Sequence, residues 1–337
     1  FTAGYGKLFH TEDHDDPLAW DERHYLRLLR MPGAPINVPK SIWRKAGSRF
    51  DWAPLDMPIE EMDDHRQVDR AIAAMKAVRD RPWFVGCGIF RPHLPWYVPR
   101  RFFDLHPLDS VALPEIMEGD LDDVPKRGRL FAKRGDEHEI IKSRGLWRPA
   151  VQAYLASISY ADYEVGRLLA ETPADTIIVL WSDHGWHLGP KNHWHKYTLW
   201  EEASQAVFAM AGPGIVAGKQ SSRTVSLNDI YPTISELCGL SPPYALAGRS
   251  VLPLARNPAA LWNRPALTTY GPGNHSIRSE RYRYIRYDDG TDELYDHNVD
   301  PHEWTNLAGR PEAAAIIAAH APLMPAHRVR GRRRGKG

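Results

Sequence analysis

Cysteine is scarce in this sequence. Only two of the 337 residues are cysteines, Cys87 and Cys238. Two cysteines cannot build the framework of a small disulfide-rich domain. Because Cys87 lies in a strand-like apolar run and Cys238 in a helix-like one, we predict that both are buried free thiols.

Long apolar runs and a large net charge are also lacking. No run approaches the roughly 18 residues of a membrane span, and the formal net charge is +1. The sequence therefore predicts neither a membrane span nor a nucleic-acid partner. Its 43% hydrophobic and 25% charged residues are ordinary for a globular chain. The one charge run lies near the end, and we predict that residues 327–337 form a basic disordered tail.

The first residues do not resemble the start of a protein. They read FTAGYGKLFH, without an initiating Met, a basic segment or an apolar leader. We therefore expect the sequence to begin within a domain.

Helix-like and strand-like segments alternate over the first 240 residues. Helices are predicted at 60–80, 149–171 and 228–240, and strands at 83–89, 176–181 and 206–211. This alternation predicts an α/β fold, with a mainly parallel sheet sandwiched by helices. The Pro- and charge-rich stretch 98–148 is predicted to be a long surface excursion.

The character of the sequence changes near residues 253–265, where three prolines indicate a linker. We predict a main α/β domain over 1–258 and a smaller C-terminal α+β domain over 259–326 that carries a short antiparallel sheet. Asp289 and Gly290, between two aromatic and β-branched runs, predict a hairpin in this sheet. A last helix is predicted near 311–323.

The span from Asp183 to Lys196 has the strongest functional pattern. It follows the run 176–181, which predicts a buried parallel strand, and parallel sheets bind ligands at the carboxyl ends of their strands. Asp183 and His184 offer an oxygen and a nitrogen ligand there, and Lys196 adds a cation. Such residues suit a divalent metal that holds an anionic substrate. A zinc site using His184 and His187, or an ordinary surface turn, are the alternatives.

Three other groups are weaker candidates. They are Lys7 with His10 in GKLFH, His93 in RPH after strand 83–89, and, as candidate metal ligands, His14 with Asp15 and Asp16. Each also has an ordinary structural interpretation, such as a solvated lysine, a packed histidine or an acidic loop.

Seven segments match one family in order along the chain. They are Gly6-KLFH, Arg91-PHLPWYVPRRFFDLHP, Tyr154-LASISYADYEVGRLL, Ser182-DHGWHLG, Trp194-HKYTLWEEAS, Gly248-RSVLPL and Tyr284-IRYDDGTDELYDHNVDPHEWTNLA. With these segments the chain resembles the type I sulfatases of the alkaline phosphatase superfamily, most closely the branch that contains iduronate-2-sulfatase. The resemblance implies an alkaline-phosphatase-like fold and hydrolysis of a sulfate ester of a sugar or a small organic alcohol.

The resemblance also implies roles for the metal and the sulfate. Asp183 and His184 resemble ligands of the family's Ca²⁺, with Mg²⁺ or Mn²⁺ as alternatives. Lys196 resembles the lysine that binds the sulfate oxygens. Lys7 and His10 resemble the pair that contacts the sulfate and the catalytic formylglycine.

The leaving group has two candidate acids. His93 resembles the family's histidine on the ester-oxygen side of the substrate. Lys196 could also protonate the leaving oxygen, and the sequence does not choose between them.

The chain departs from the family in what it lacks. Neither Cys-x-Pro-x-Arg nor Ser-x-Pro-x-Arg, from which the family makes formylglycine, occurs in the 337 residues. The Asp-Asp pair of the family's first strand is missing as well. We expect both to lie before Phe1, and we expect this chain by itself to be inactive. Two other functions stay open: hydrolysis of phosphodiesters or phosphonate monoesters, and a non-catalytic pseudo-sulfatase with an anion pocket.

The expected partner is a small-molecule or saccharide sulfate ester. Periplasmic, secreted and lysosomal-type compartments fit the family, and a cytoplasmic one stays open. The oligomeric state is open too.

Overall fold

The structure is a computed structural model that describes residues 1–10, 12–25, 50–77, 80–132 and 137–325. The predicted tail 327–337 lies outside the described residues. The chain divides into two compact units. The first comprises Phe1–Leu113 and Gly135–Ala174, and the second comprises Pro114–Arg134 and Asp175–Gly337. The predicted domain boundary near residue 258 stays a prediction.

The first unit contains five described strands and four α-helices. The strands are β1 (Thr2–Gly6), β2 (Glu22–His24), β3 (Trp52–Leu55), β4 (Phe84–Gly88) and β5 (Trp96–Pro99), and the helices are α1 (Asp63–Ala77), α2 (Arg100–Asp104), α4 (Glu137–Ser143) and α5 (Trp147–Glu171). Short 3₁₀ turns lie at Glu12–His14, Pro17–Ala19, Ile59–Glu61 and Leu108–Ser110. The predicted helices 60–80 and 149–171 and the predicted strand 83–89 correspond to α1, α5 and β4.

The main sheet of the first unit is parallel. Its strand order is β2-β1-β4, with Gly6 opposite Gly88 at the end of the shared ladder. Helix α1 packs on β1 and β4, where buried Ala3 and Tyr5 meet Ala71 and Ala74. The apolar stripe of an amphipathic helix thus covers one face of the sheet. Strand β1 has no counterpart among the predicted strands.

A second parallel pair, β3 with β5, rests on aromatic packing. Trp96 is fully buried and makes edge contacts with Phe50 and Tyr154, at ring-centroid distances of 5.7 and 5.5 Å. Edge-to-face pairs of this kind add to the energy of burial. They hold β5 against α5, the helix that carries Tyr154.

The second unit contains eight described strands and five α-helices. The strands are β6 (Ile178–Trp181), β7 (His187–Leu188), β8 (Trp194–His195), β9 (Phe208–Ala211), β10 (Ala266–Thr269), β11 (His275–Arg278), β12 (Tyr282–Arg286) and β13 (Asp292–Asp296). The helices are α3 (Lys126–Ala132), α6 (Glu201–Ser204), α7 (Ile230–Leu237), α8 (Leu252–Arg256) and α9 (Ala314–His320). The 3₁₀ turns are Pro190–Asn192, Leu227–Asp229, Pro311–Ala313 and Ala321–Leu323.

Strand β6 corrects the prediction of a buried parallel strand. It pairs with β9 in the antiparallel direction, and Leu180 and Trp181 are 38% and 47% exposed. An apolar run does not specify strand direction; the connection does, since a parallel partner needs a long crossover, usually a helix. Between β6 and β9 lie the β7-β8 hairpin, the 3₁₀ turn Pro190–Asn192 and α6, a helix of one turn, and no longer helix.

The C-terminal sheet is antiparallel, in the order β10-β11-β12-β13. The predicted hairpin joins β12 to β13, where Tyr287 N donates to Thr291 O at 2.9 Å and Gly290 has φ +85°. Glycine adopts this left-handed conformation without steric cost. The prediction of a short antiparallel sheet is therefore confirmed.

Three smaller predictions are wrong. Residues 253–265 are not a linker, because α8 begins there and Leu254 and Trp262 are buried in a core cluster with Val251. Cys238 is exposed and Cys87 is half-buried, although both are free thiols. The described part of 98–148 is not a surface excursion, because it contains α2, α3 and α4 and because Val111, Leu121 and Val124 are buried. Among the described helices none is long and apolar enough to cross a membrane.

Candidate functional site

The candidates fall in both units. Lys7, His10 and His93 belong to the first unit, whereas Asp183, His184 and Lys196 belong to the second.

Lys7 follows β1 directly, at the carboxyl end of the parallel sheet. Its backbone N–H donates to the carbonyl oxygen of Gly88, the last residue of β4, at 2.9 Å. A Cβ atom on Gly88 would lie 2.0 Å from Lys7 O, and one on Gly6 would lie 2.2 Å from Gly88 O. Only glycine allows the ends of the two strands to approach this closely. His10 lies three residues beyond Lys7 and is exposed.

His93 lies beyond the neighbouring strand β4, at the same edge of that sheet. Its backbone N–H donates to Phe90 O at 2.9 Å, and its ring packs against Phe90 at a centroid distance of 4.8 Å. Nδ1 lies 2.9 Å from Leu94 O. A carbonyl oxygen only accepts, so Nδ1 carries the proton and Nε2 of the neutral ring has the lone pair.

Asp64 holds the turn that carries His93, a role that sequence reasoning missed. Its carboxylate accepts from the backbone N–H groups of Phe90 and Arg91, at 2.7 and 3.3 Å. Burial raises the pKa of Asp64, while the charge of buried Arg91 and the two backbone hydrogen bonds oppose the rise. A buried carboxylate needs such partners, and the backbone N–H groups of Phe90 and Arg91 supply them here.

Asp183 and His184 lie just beyond the end of β6, as predicted. Ser182 Oγ donates to His184 O at 2.7 Å, and Gly185 N donates to Ala203 O at 2.9 Å. A Cβ on Gly185 would lie only 2.0 Å from Glu202 O, so the turn requires glycine. The turn is thus fixed to α6.

The structure brings Asp183, His184 and Lys196 together. His184 Nδ1 lies 2.8 Å from Gly185 O, so Nδ1 donates and Nε2 can accept. The ammonium of Lys196 donates to this Nε2 at 2.7 Å, and Asp183 Oδ1 lies 3.5 Å from it. A carboxylate, an imidazole lone pair and an ammonium therefore meet at the end of one strand.

The loop that carries Lys196 has an unusual backbone. Left-handed φ angles occur at Lys191 (58°), Asn192 (51°), His195 (85°) and Tyr197 (76°). Non-glycine residues adopt this conformation only where surrounding contacts hold them. The loop has such contacts, because buried Lys191 donates to Asp120 Oδ1 at 2.5 Å and also to Glu303 O.

The zinc alternative finds no support in this loop. His187 is fully buried, and its ring nitrogens lie 3.2 Å from Pro190 O and 2.8 Å from Thr198 Oγ1. Burial, together with the charge of His193, places the pKa of His187 well below its ordinary value, so the ring is neutral. Its nitrogens are engaged in holding the loop.

Within the described part of the chain, one group of three side chains has metal-like spacing: Glu201, His297 and Glu303. Arginine already occupies it. Arg283, which is 1% exposed, donates to both carboxylates, and Arg278 Nε lies 3.2 Å from Glu201 Oε2. A metal ion would have to displace these guanidinium groups, so we assign the cluster to structure.

The acidic loop near residue 14 is structural as well. Asp15 accepts from Arg23 Nε at 2.6 Å and from Trp20 Nε1 at 2.9 Å. Asp16 accepts from Leu18 N at 3.0 Å at the start of a 3₁₀ turn. Both carboxylates are engaged in these contacts, so the structure does not support a metal site at Asp15 and Asp16.

The fold is of the alkaline-phosphatase-like α/β class, and solved structures share it. The chain matches the phosphonate monoester hydrolase of Agrobacterium radiobacter with a TM-score of 0.73 at 19% identity, covering 96% of this chain and 76% of that one. It matches the structure of BT4656 in complex with its substrate D-glucosamine-2-N,6-O-disulfate with a TM-score of 0.70 at 19% identity, covering 96% and 78%. At such identities the likeness concerns the fold.

The sequence comparisons define the family. The sulfatase family model matches residues 19–240, and the model for the C-terminal region of N-sulphoglucosamine sulphohydrolase matches residues 189–328. The chain belongs to the sulfatase family. This confirms the resemblance to sulfatases.

Curated relatives cover most of this chain. It is 36% identical to a sulfatase of Formosa agariphila over 96% of its length, 27% identical to the choline-sulfatase of Rhizobium meliloti over 85%, and 28% identical to human iduronate 2-sulfatase over 72%. The chain spans 66%, 62% and 53% of the lengths of these three relatives.

Proposed function

We propose that this chain serves the hydrolysis of a sulfate ester. The observation that carries the proposal is the contact of Lys196 with His184 Nε2 at 2.7 Å, beside Asp183 at 3.5 Å. Asp183 and His184 can bind a metal cation, and the ammonium of Lys196 lies beside them. A metal cation and a lysine at one point can together bind an anion. Membership of the sulfatase family supports sulfate as that anion.

Asp183 and His184 are the proposed metal ligands of this chain. Their donor set, one carboxylate oxygen and one imidazole nitrogen, fits part of the coordination sphere of a divalent cation. The hydrogen bond from Nδ1 to Gly185 O supports this role, because it leaves Nε2 as the electron-pair donor. We propose Ca²⁺ first and Mg²⁺ or Mn²⁺ as alternatives. Such an ion would neutralise sulfate oxygens and so favour attack at sulfur.

Lysines would supply the remaining positive charge. The ammonium of Lys196 would bind sulfate oxygens. For Lys7 and His10, at the end of β1 in the first unit, contact with sulfate stays a prediction from the family resemblance. Hydrogen bonds between ionised groups are shorter and stronger than neutral ones, which suits a small anion with oxygens on every side.

The formylglycine nucleophile has no precursor in this chain. None of the 337 residues stands in a Cys-x-Pro-x-Arg or Ser-x-Pro-x-Arg sequence. We therefore assign no step of the reaction to a residue of this chain acting as nucleophile.

Protonation of the leaving oxygen is proposed for His93, with Lys196 as the alternative. Nδ1 of His93 donates to Leu94 O, so the acid would be the imidazolium form of the ring, which would give its Nε2 proton to the leaving oxygen and return to the neutral ring with the lone pair on Nε2. The two residues can be separated with leaving groups of different basicity. Loss of the general acid should slow hydrolysis of an alkyl sulfate far more than that of 4-nitrophenyl sulfate.

The substrate class is a proposal from the relatives. Their names include choline-sulfatase and iduronate 2-sulfatase, and one structural neighbour was solved with a disulfated glucosamine. We propose a sulfated sugar or a small organic sulfate. Phosphonate monoester hydrolysis is a second candidate, because two hydrolases of that class share the fold with a TM-score of 0.73.

The test compares the 337-residue chain with the protein expressed from the complete gene. We expect the gene product to hydrolyse 4-nitrophenyl sulfate in the presence of Ca²⁺ and the 337 residues alone to be inactive. In the gene product, Lys196→Ala should lower kcat/KM by at least about a hundredfold, whereas Lys219→Ala, a change of an exposed lysine in the same unit, should have no effect. Faster turnover of phosphonate monoesters than of sulfate esters would favour the second candidate. Inactivity of the gene product on both ester classes would refute both.

A further inference from the structure

His193 lies between two backbone carbonyl groups. Its side chain is buried, with 3% of the residue exposed. Nδ1 lies 2.8 Å from Ala132 O, and Nε2 lies 2.8 Å from Lys196 O. The ring therefore connects the end of α3 to the backbone of the lysine proposed to bind sulfate.

The two contacts determine the protonation state of the ring. A carbonyl oxygen can only accept a hydrogen bond, and a neutral imidazole has a single N–H group. Both contacts can be hydrogen bonds only when both nitrogens carry protons, that is, when the ring is an imidazolium. One acceptor is the carbonyl of Ala132, the last described residue of α3.

The neighbouring histidine packs against this ring. His187 makes an edge contact with His193 at a centroid distance of 5.0 Å. Burial lowers the pKa of His187, so the neighbouring ring is neutral.

The backbone conformation at Lys196 depends on contacts that hold the loop in place. The residues on either side of it, His195 and Tyr197, both have left-handed φ angles. The backbone at Lys196 is therefore strained and keeps its course only where other groups hold it. The hydrogen bond from His193 acts on the carbonyl of Lys196 itself. A second anchor, the ion pair of Lys191 with Asp120, fastens the same loop to the segment before α3.

We propose that His193, as an imidazolium, is a positioning residue for Lys196. It fixes the backbone of Lys196 to the end of α3 and so directs the ammonium toward the sulfate. This inference rests on the proposed function, because it assigns sulfate binding to Lys196.

The protonation state is tested on the 337-residue chain by ¹⁵N NMR of the histidine rings. The His193 resonance, assigned by its loss in His193→Gln, should show two protonated nitrogens at neutral pH. One protonated and one unprotonated nitrogen would overturn the imidazolium. This measurement does not depend on enzymatic activity.

The positioning role is tested with inorganic sulfate and with substrate. His193→Gln should weaken sulfate binding to the chain by roughly tenfold, and it should raise the KM of the complete gene product for 4-nitrophenyl sulfate by a similar factor with a smaller change in kcat. The matched control is His138→Gln in the first unit, since His138 is also 3% exposed. It should lower thermal stability without changing sulfate binding or KM.

The two hypotheses fail in different ways. If the wild-type gene product hydrolyses sulfate esters and His193→Gln retains the wild-type KM and sulfate affinity, the positioning role is wrong and the proposed function stands. If the wild-type protein neither binds sulfate nor hydrolyses its esters, the proposed function is wrong, and the NMR measurement still decides the charge on His193.

Discussion

The ammonium of Lys196 donates a hydrogen bond to Nε2 of His184 at 2.7 Å. The lone pair that accepts this hydrogen bond is the one that His184 would offer to a metal ion, because Nδ1 is occupied by Gly185 O. One lone pair cannot serve the ammonium and a cation at once. Lys196 and a divalent metal therefore compete for the same atom.

The competition predicts that Lys196→Met binds divalent cations more tightly than the wild-type chain. Methionine removes both the hydrogen bond and the positive charge beside the proposed ligands. We expect Kd for Ca²⁺ to fall by up to about tenfold, which corresponds to ~1.4 kcal/mol. Calorimetric titration of the 337-residue chain measures the change.

The matched control is Lys219→Met, which removes an exposed lysine of the same unit and leaves His184 untouched. Its Ca²⁺ affinity should equal that of the wild type. Weaker Ca²⁺ binding by Lys196→Met would contradict the competition, and so would equal gains in both variants.

Much of this site could be predicted because it is local in sequence. Asp183 and His184 follow an apolar run, and strand ends are where polar residues with chemistry occur. The direction of β6 could not be predicted, because the same run of apolar residues fits a parallel or an antiparallel neighbour. Strand pairing is decided by contacts between segments that are far apart in sequence.

Asp64 and Asp120 escaped prediction for the same reason. Asp64 lies 26 residues before Phe90, whose N–H group it accepts, and Asp120 lies 71 residues before Lys191. Each is one of several acidic residues in a charged segment, where a solvated carboxylate is the ordinary interpretation. Strand β1 was missed because two of its five residues, Gly4 and Gly6, are glycines, which are depleted in strands.

Gly88 tests the close approach of β1 and β4. In Gly88→Ala the new Cβ would lie 2.0 Å from Lys7 O and 2.8 Å from Lys7 N. The backbone atoms of paired strands cannot easily move away from the new Cβ. We therefore expect a loss of about 3 kcal/mol in the free energy of unfolding. Urea denaturation measures it. The control Gly166→Ala, in α5 with open space around it, should gain about 0.5–1 kcal/mol instead.

Glu202 predicts a pH dependence of stability. Burial, and next the charge of Glu303, raise the pKa of Glu202 to about 7 from its ordinary 4.5. Between pH 4.5 and 7 the folded chain therefore keeps the proton on Glu202, whereas the unfolded chain has already released it. The free energy of unfolding should therefore fall by at most about 3 kcal/mol as pH rises from 4.5 to 7. Above pH 7 it should stay level.

The variant Glu202→Gln should abolish this pH dependence, because the amide does not ionise. Above pH 7 it should be more stable than the wild type, and below pH 4.5 the two should agree. The control Glu236→Gln changes an exposed carboxylate in α7 and should follow the wild-type curve. A wild-type curve that rises between pH 4.5 and 7, with the same rise in Glu202→Gln, would contradict the assignment.

Glu303 makes the opposite prediction for acid conditions. Burial alone would raise its pKa, but the charge of Arg283 and the hydrogen bond from His297 prevail and hold the pKa of Glu303 at about 2. The folded chain therefore favours the ionised carboxylate. The resulting stability is present above the ordinary value of 4.5 and is lost as pH falls toward 2.

Glu303→Gln should reveal how far Arg283 depends on this carboxylate. Arg283 is 1% exposed, and a buried guanidinium that loses a charged partner costs about 3–5 kcal/mol in the free energy of unfolding. The control is Glu280→Gln, which breaks the half-exposed pair of Glu280 with Arg223 and should cost less than about 1 kcal/mol. Urea denaturation at pH 7 compares the three proteins. Equal losses in both variants would show that the buried network stabilises no more than a surface ion pair. Stabilisation of the wild type by Ca²⁺ that is lost in Glu303→Gln would also contradict the assignment of this cluster to structure.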